Sequence, residues 1–167
     1  MGARLFVLLA VLLCLTPVCA FAQVPPAPLR GVEAVTVTVS IVAPPNTWPA
    51  LLTEARLQTL AELKLRAWAL RVVSEEDPIP GIRPVVELEV TLLETRAAEK
   101  LAGYAFVTRL VVKEPGRSLR NGAPVFSELW SHSFLNVSDP KSVIGDMERS
   151  TGELVDQFIN EWLRTRH

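Results

Sequence analysis

The sequence predicts an α+β fold: a four-stranded mixed sheet in the order β-α-β-β-β-α, with two amphipathic helices packed on one face. Three observations predict it. An early run of β-branched residues alternates with a period of two, two other segments space their apolar residues at three and four, and three strand-like segments follow one another with no helical pattern between them.

The chain opens with Met1-Gly2-Ala3-Arg4, an apolar run from Leu5 to Leu15, then Thr16-Pro17 and Ala20-Phe21-Ala22. One positive charge, a hydrophobic stretch, a helix breaker and small residues at the cleavage subsites follow the order of a secretory signal, so residues 1–22 are expected to be removed on export. The run is about half the ~20 apolar residues that a helix needs to cross a bilayer, so no stable membrane span is expected after cleavage. Cys19 raises a competing reading, a lipoprotein cut just before that cysteine. It is the weaker one, because Val18 stands where that processing wants a small residue. The expected product is a soluble periplasmic protein.

Gln23 to Arg30 is rich in proline and has no periodicity, which reads as a flexible lead-in over residues 23–32 before a single α/β domain over residues 33–167. Val35, Val37, Val39 and Ile41 then alternate with Thr36, Thr38 and Ser40, placing the larger aliphatics on the buried face of a strand that Ala43-Pro44-Pro45-Asn46 ends. From Thr53 the spacing becomes helical, through Leu57, Leu60, Ala61, Leu63, Ala67, Trp68 and Leu70. Thr53 is the expected N-cap, Glu54 suits the first turn, and the helix fades near Val72, ahead of a turn-forming stretch from Ser74 to Pro84.

Val85 to Thr95 and Tyr104 to Lys113 are strand-like and are joined by Arg96 to Gly103. Glu114-Pro115-Gly116 reads as a break, and a polar loop through Asn121-Gly122 leads to a strand from Val125 to Leu135. Asp139 as N-cap and Pro140 at the first helical position begin the last helix, whose stripe is Ile144, Met147, Thr151, Leu154, Val155, Phe158, Ile159 and Trp162. Gly145 and Gly152 each cost about 1 kcal/mol of helix propensity against alanine, so close packing against a neighbour is expected at both.

The only cysteines, Cys14 and Cys19, fall in the segment to be removed, so the processed chain has no thiol for a disulfide, a metal site or a nucleophile. About 145 residues remain, enough for one domain to bury a core without such staples. The whole chain carries 17 Lys and Arg against 18 Asp and Glu, and no run of like charge exceeds Glu75-Glu76-Asp77. A nucleic-acid partner needs a concentrated basic face, so that class is excluded.

With these elements in place, the chain resembles a type of uncharacterised exported bacterial protein whose processed part begins with a valine-rich strand. The residues that carry the resemblance are Leu52-Thr53-Glu54, Leu63-Lys64-Leu65-Arg66, Leu70-Arg71-Val72, Gly103-Tyr104-Ala105 and Leu154-Val155-Asp156-Gln157-Phe158-Ile159. More distantly, the element order is similar to that of the N-terminal domain of the envelope protein TolB. The resemblance implies a periplasmic role and no defined activity.

Few groups suggest chemistry. His132 is the only internal histidine, but Ser131 and Ser133 point to the other face of its strand, so the expected role is an ordinary sheet histidine. Glu87 and Glu89 share a face about 7 Å apart, a spacing that carboxylate pairs of glycosidases span and that solvated sheet faces also show. No metal-ligand spacing or phosphate-binding glycine loop occurs, so no metal, cofactor or catalytic residue is assigned. Asn136-Val137-Ser138 fits a glycosylation sequon, read as a chance match.

Phe126, Trp130, His132 and Phe134 are expected on one face of the last strand, with Glu128 among them, as core if the helices cover that face and as a partner surface if they do not. The favoured reading is a non-catalytic periplasmic module that binds an envelope protein or surface component. A periplasmic hydrolase and a carrier of a small apolar ligand between sheet and helices are the alternatives.

Overall fold

Alternation of valine with threonine makes the first strand, and the computed structural model places its aliphatic face against two helices. The structure describes residues 29–43, 53–74, 83–97 and 100–166. The signal segment, the first part of the lead-in, the Pro44-Pro45-Asn46 strand end and most of the turn-forming stretch lie outside the described residues. The elements are β1 Ala34–Val42, α1 Glu54–Ala67, β2 Arg71–Val72, β3 Val85–Ala97, β4 Lys100–Arg117, β5 Pro124–Ser138 and α2 Val143–Arg164. The sheet order is β2-β1-β3-β4-β5. β1 is parallel to both its neighbours, and β3, β4 and β5 form the expected antiparallel meander.

Five strands replace the four expected, and the reason lies at the end of α1. Thr53 caps that helix as expected, its hydroxyl accepting the Arg56 amide at 3.2 Å. The helix stops at Ala67, where Ala69 turns left-handed at φ 61°. The Leu70 amide then bonds the Leu65 carbonyl at 3.2 Å and the Ala69 amide bonds that of Arg66 at 3.0 Å, satisfying carbonyls the helix end would orphan. This turn delivers Arg71 and Val72 beside Ala34 and Val35, so residues that continue a helical pattern in sequence become β2.

The buried face of α1 is Leu57, Ala61 and Leu65, a strict spacing of four. Leu63 and Trp68, expected in the apolar stripe, stand 60% and 53% exposed. Val86, Leu88, Val90 and Leu92 of β3 and Phe106, Leu110 and Val112 of β4 meet these residues and Met147, Leu154, Val155, Phe158, Ile159 and Trp162 of α2. Each large side chain buried this way contributes roughly 1.5–3 kcal/mol relative to exposure. Leu29 and Val32 are buried in the same core, and the Trp162 indole N–H donates to the Val32 carbonyl at 2.9 Å. Packing therefore reaches back into the residues read as lead-in.

The expected break at Glu114-Pro115-Gly116 is not one, because β4 runs on to Arg117 with Pro115 opposite Phe126. β3 pairing ends at Val85 opposite Lys113, so the missing proline N–H falls where β4 has a neighbour on one side only. The last helix starts later than expected: its N-cap is Ser142, not Asp139, and Pro140 lies in the preceding turn, which Asp139 holds through three bonds. Its carboxylate accepts the Lys141 amide at 2.8 Å, the Ser142 amide at 3.1 Å and the Ser142 hydroxyl at 2.7 Å, and regular helix begins at Val143. Gly152 meets the expected neighbour, since an added Cβ would lie 3.2 Å from Lys64 Cε. Gly145 does not, having nothing within 4 Å, and the close-packing expectation fails there.

Candidate partner-binding surface

The two edges of the sheet differ. β2 covers only the start of β1, and beyond it α1 supplies side chains to the exposed backbone. Gln58 Nε2 donates to the Val37 carbonyl at 3.3 Å, and Glu54 Oε1 accepts the Ile41 amide at 3.2 Å. At the far edge, among the described residues, no strand pairs with the outer side of the 15-residue β5. Its row of backbone donors and acceptors is open to a further strand.

A bulge decides which β5 side chains share a face. Trp130 lies opposite Val112, but Glu128 lies opposite Lys113, leaving Leu129 as the extra residue. Trp130, His132 and Phe134 therefore face the helices, opposite Val112, Leu110 and Thr108, whereas Glu128 points to the open face. Phe126, opposite Pro115 beyond the bulge, follows Glu128 and is 62% exposed. The expected single face of Phe126, Glu128, Trp130, His132 and Phe134 is thus split in two, because one inserted residue shifts a period-two pattern to the opposite side.

On the helix side, α2 only half covers the three inward aromatic rings. Trp130 and Phe134 are half-buried against the core, while His132 is exposed. The Trp130 ring lies 5.7 Å from Phe158 and 6.2 Å from His132, which meets Phe134 edge-on at 5.4 Å. Trp130 and His132 form one wall of an open groove of about 270 Å³, and Gln157, Asn160, Glu161 and Arg164 of α2 form the other. Glu161 and Arg164 pair at 3.1 Å. Among the described residues, the side chains of His132, Gln157 and Asn160 make no hydrogen bond, so all three are available to a ligand. Sequence reading missed the α2 wall. Its signal is a polar row at 157, 160, 161 and 164 flanking the apolar stripe, the same spacing of three and four.

The open face carries charge at one end and apolar side chains at the other. Glu87 pairs with Lys113, and Arg109 bridges Glu89 at 3.2 Å and Glu128 at 3.1 Å. Glu87 and Glu89 are therefore held by separate cations, across the sheet from His132. Past them, Val42, Leu93, Leu135 and Val137 are exposed by 57–74%. Asn136 of the sequon donates to the Ser150 hydroxyl at 2.9 Å. Among the described residues no His, Cys, Asp or Glu cluster is arranged to hold a metal ion, and no helix is long and apolar enough to cross a membrane.

No family model and no curated protein matches the chain. Solved structures similar to it include a minor lipoprotein from Acinetobacter baumannii, at 12% identity over 78% of this chain and 91% of that one, with a TM-score of 0.40. PelC from Paraburkholderia phytofirmans is similar at 17% identity over 78% and 86% of the two chains, with a TM-score of 0.39. Rare lipoprotein B from Shewanella oneidensis is similar at 15% identity over 79% and 92%, with a TM-score of 0.29.

Proposed function

We propose that this chain is an exported, envelope-associated binding module with no catalytic chemistry of its own, and that its partner surface is the groove between β5 and α2. One observation carries the reading: half-covered aromatic rings and hydrogen-bonding groups with no internal partner converge on one concave strip beside an open strand edge. Aromatic bodies supply contact area and free amides supply orientation, the combination that recognition surfaces use. The signal-like N-terminus supports export, with cleavage after Ala22 and a soluble periplasmic product.

The alternatives have less support. A hydrolase needs its acid, base and positioning groups at hydrogen-bond distance, whereas Glu87 and Glu89 are ion-paired on one face and His132 stands on the other. A carrier of an apolar ligand needs space between sheet and helices, where Phe106, Phe158, Leu110 and Trp162 are packed at 0–1% exposure.

Affinity capture from envelope extract tests the proposal. The bait is the exported chain, compared with His132→Ala/Asn160→Ala in the groove and Thr91→Ala on the opposite face, all at exposed positions that leave folding intact. A defined envelope component retained by the wild type and by Thr91→Ala but lost from the groove variant is the expected result. Capture indifferent to the groove substitutions, or no capture at all, would overturn it.

A further inference from the structure

Two tryptophans lie at α2, and their indole N–H groups end differently. That of Trp162, in the core, donates to the Val32 carbonyl at 2.9 Å. That of Trp130, half-buried on the groove wall, donates to no group among the described residues. An indole withdrawn from water is normally partnered, and here the donor is left to the groove. Beside it the Gln157 and Asn160 amides and the His132 imidazole are also without internal partners. Each amide, like a neutral imidazole, carries a donor and an acceptor together. The two charged members of the strip, Glu161 and Arg164, pair with each other at 3.1 Å and leave no net charge to draw an ion.

We infer that the groove takes a neutral oligosaccharide, with one sugar ring against Trp130 and His132 and its hydroxyls on Gln157, Asn160 and the Trp130 N–H. The inference rests on the groove being the partner surface and names the chemistry of what fills it. A sugar hydroxyl also donates and accepts at one atom, so each amide can bond it in either sense, and a pyranose carries several such groups around its rim. Its two faces are C–H surface, and the Trp130 and His132 rings, 26° from parallel and 6.2 Å apart, offer flat aromatic area to them. A peptide is the poorer fit. Its anchors are apolar side chains in pockets or charges on counter-charges, and this strip has polar groups along its α2 wall and an internally matched ion pair. At about 270 Å³ the groove is smaller than the roughly 300–1,000 Å³ that encloses a whole small molecule, which suits one unit of a longer chain.

Calorimetric titration of the protein purified from the periplasm, after export of the full chain, tests this with cellotetraose, chitotetraose and maltotetraose as probes. At least one is expected to bind with a Kd between about 10 μM and about 5 mM, the range of a shallow site. That Kd is expected to change less than about twofold between about 50 and about 500 mM NaCl, since a neutral ligand has no charge to screen. His132→Ala/Asn160→Ala is expected to weaken binding about tenfold or more. Trp130→Phe keeps an aromatic ring and removes the N–H, and is expected to weaken it about threefold or more, while Thr91→Ala on the opposite face leaves it unchanged. No binding of any of the three probes, binding abolished by salt, or binding indifferent to the groove substitutions would overturn the inference. Groove-dependent capture of a glycan-free protein, with no probe bound, would overturn it and leave the groove reading standing. Capture indifferent to the groove overturns that reading itself, so the two failures are separable.

Discussion

The β1 and β5 edges bound the same sheet, yet α1 supplies side-chain partners to two backbone groups of β1, at Val37 and Ile41, and among the described residues no element does the same for β5. At β1 the fold uses two polar positions of α1, Glu54 and Gln58, to satisfy backbone that the two-residue β2 does not reach. At β5 the corresponding backbone is bare among the described residues, and the adjoining α2 groups, Gln157 and Asn160, point into a groove instead of capping it. The proposed function assigns partners to the barer of the two edges.

The largest expected effect probes the side of β5 that pairs with β4. An added Cβ at Gly103 would lie 2.5 Å from the Ser138 carbonyl oxygen, too close for a contact between β4 and the end of β5. Gly103→Ala is therefore expected to cost about 2 kcal/mol or more in denaturant unfolding, and a near-neutral result would show that β5 is loosely held. Next comes the closed edge. Glu54→Ala/Gln58→Ala removes both side-chain partners of β1 and is expected to cost about 1 kcal/mol, with faster hydrogen exchange at the Ile41 amide. Exchange at Ile41 unchanged by that variant would erase the contrast between the edges.

Ala69→Gly sharpens the comparison from the opposite direction. Ala69 holds a left-handed conformation in the turn that delivers β2, so glycine there is expected to raise stability by up to about 1 kcal/mol. The smallest effect is electrostatic, at the junction of β5 with α2. The Ser142 hydroxyl, then the Lys141 amide, hold the exposed Asp139 carboxyl below its ordinary range. A carboxyl lowered in the folded state adds stability at pH values above its unfolded pKa and loses it as pH falls through the folded value. The stability difference between wild type and Asp139→Asn is accordingly expected to shrink on acidification.

Much of this architecture was legible in local patterns. The valine alternation placed β1, and the stripe from Met147 to Trp162 placed α2, because burial on one face imposes its period on sequence. β2 was not legible, since the left-handed turn at Ala69 uses a residue that carries no turn signal, whereas glycine at that position would have. Nor was Pro115 within β4, because whether a proline breaks a strand depends on the length of a neighbouring strand. Trp130 and His132 were legible as part of a surface, but the bulge at Leu129 was not, and it alone removes Phe126 and Glu128 from their face. The second wall of the groove required knowing which helix lies beside β5.

The central claim, that the β5 side is where this protein meets its partners, is tested most directly in living cells. A photocrosslinking amino acid is placed either at position 132, beside the open edge, or at position 40, on the closed edge strand, and adducts are identified by mass. The account predicts defined adducts from position 132 and none from position 40. Adducts from position 40 alone, or equal labelling from both, would contradict it.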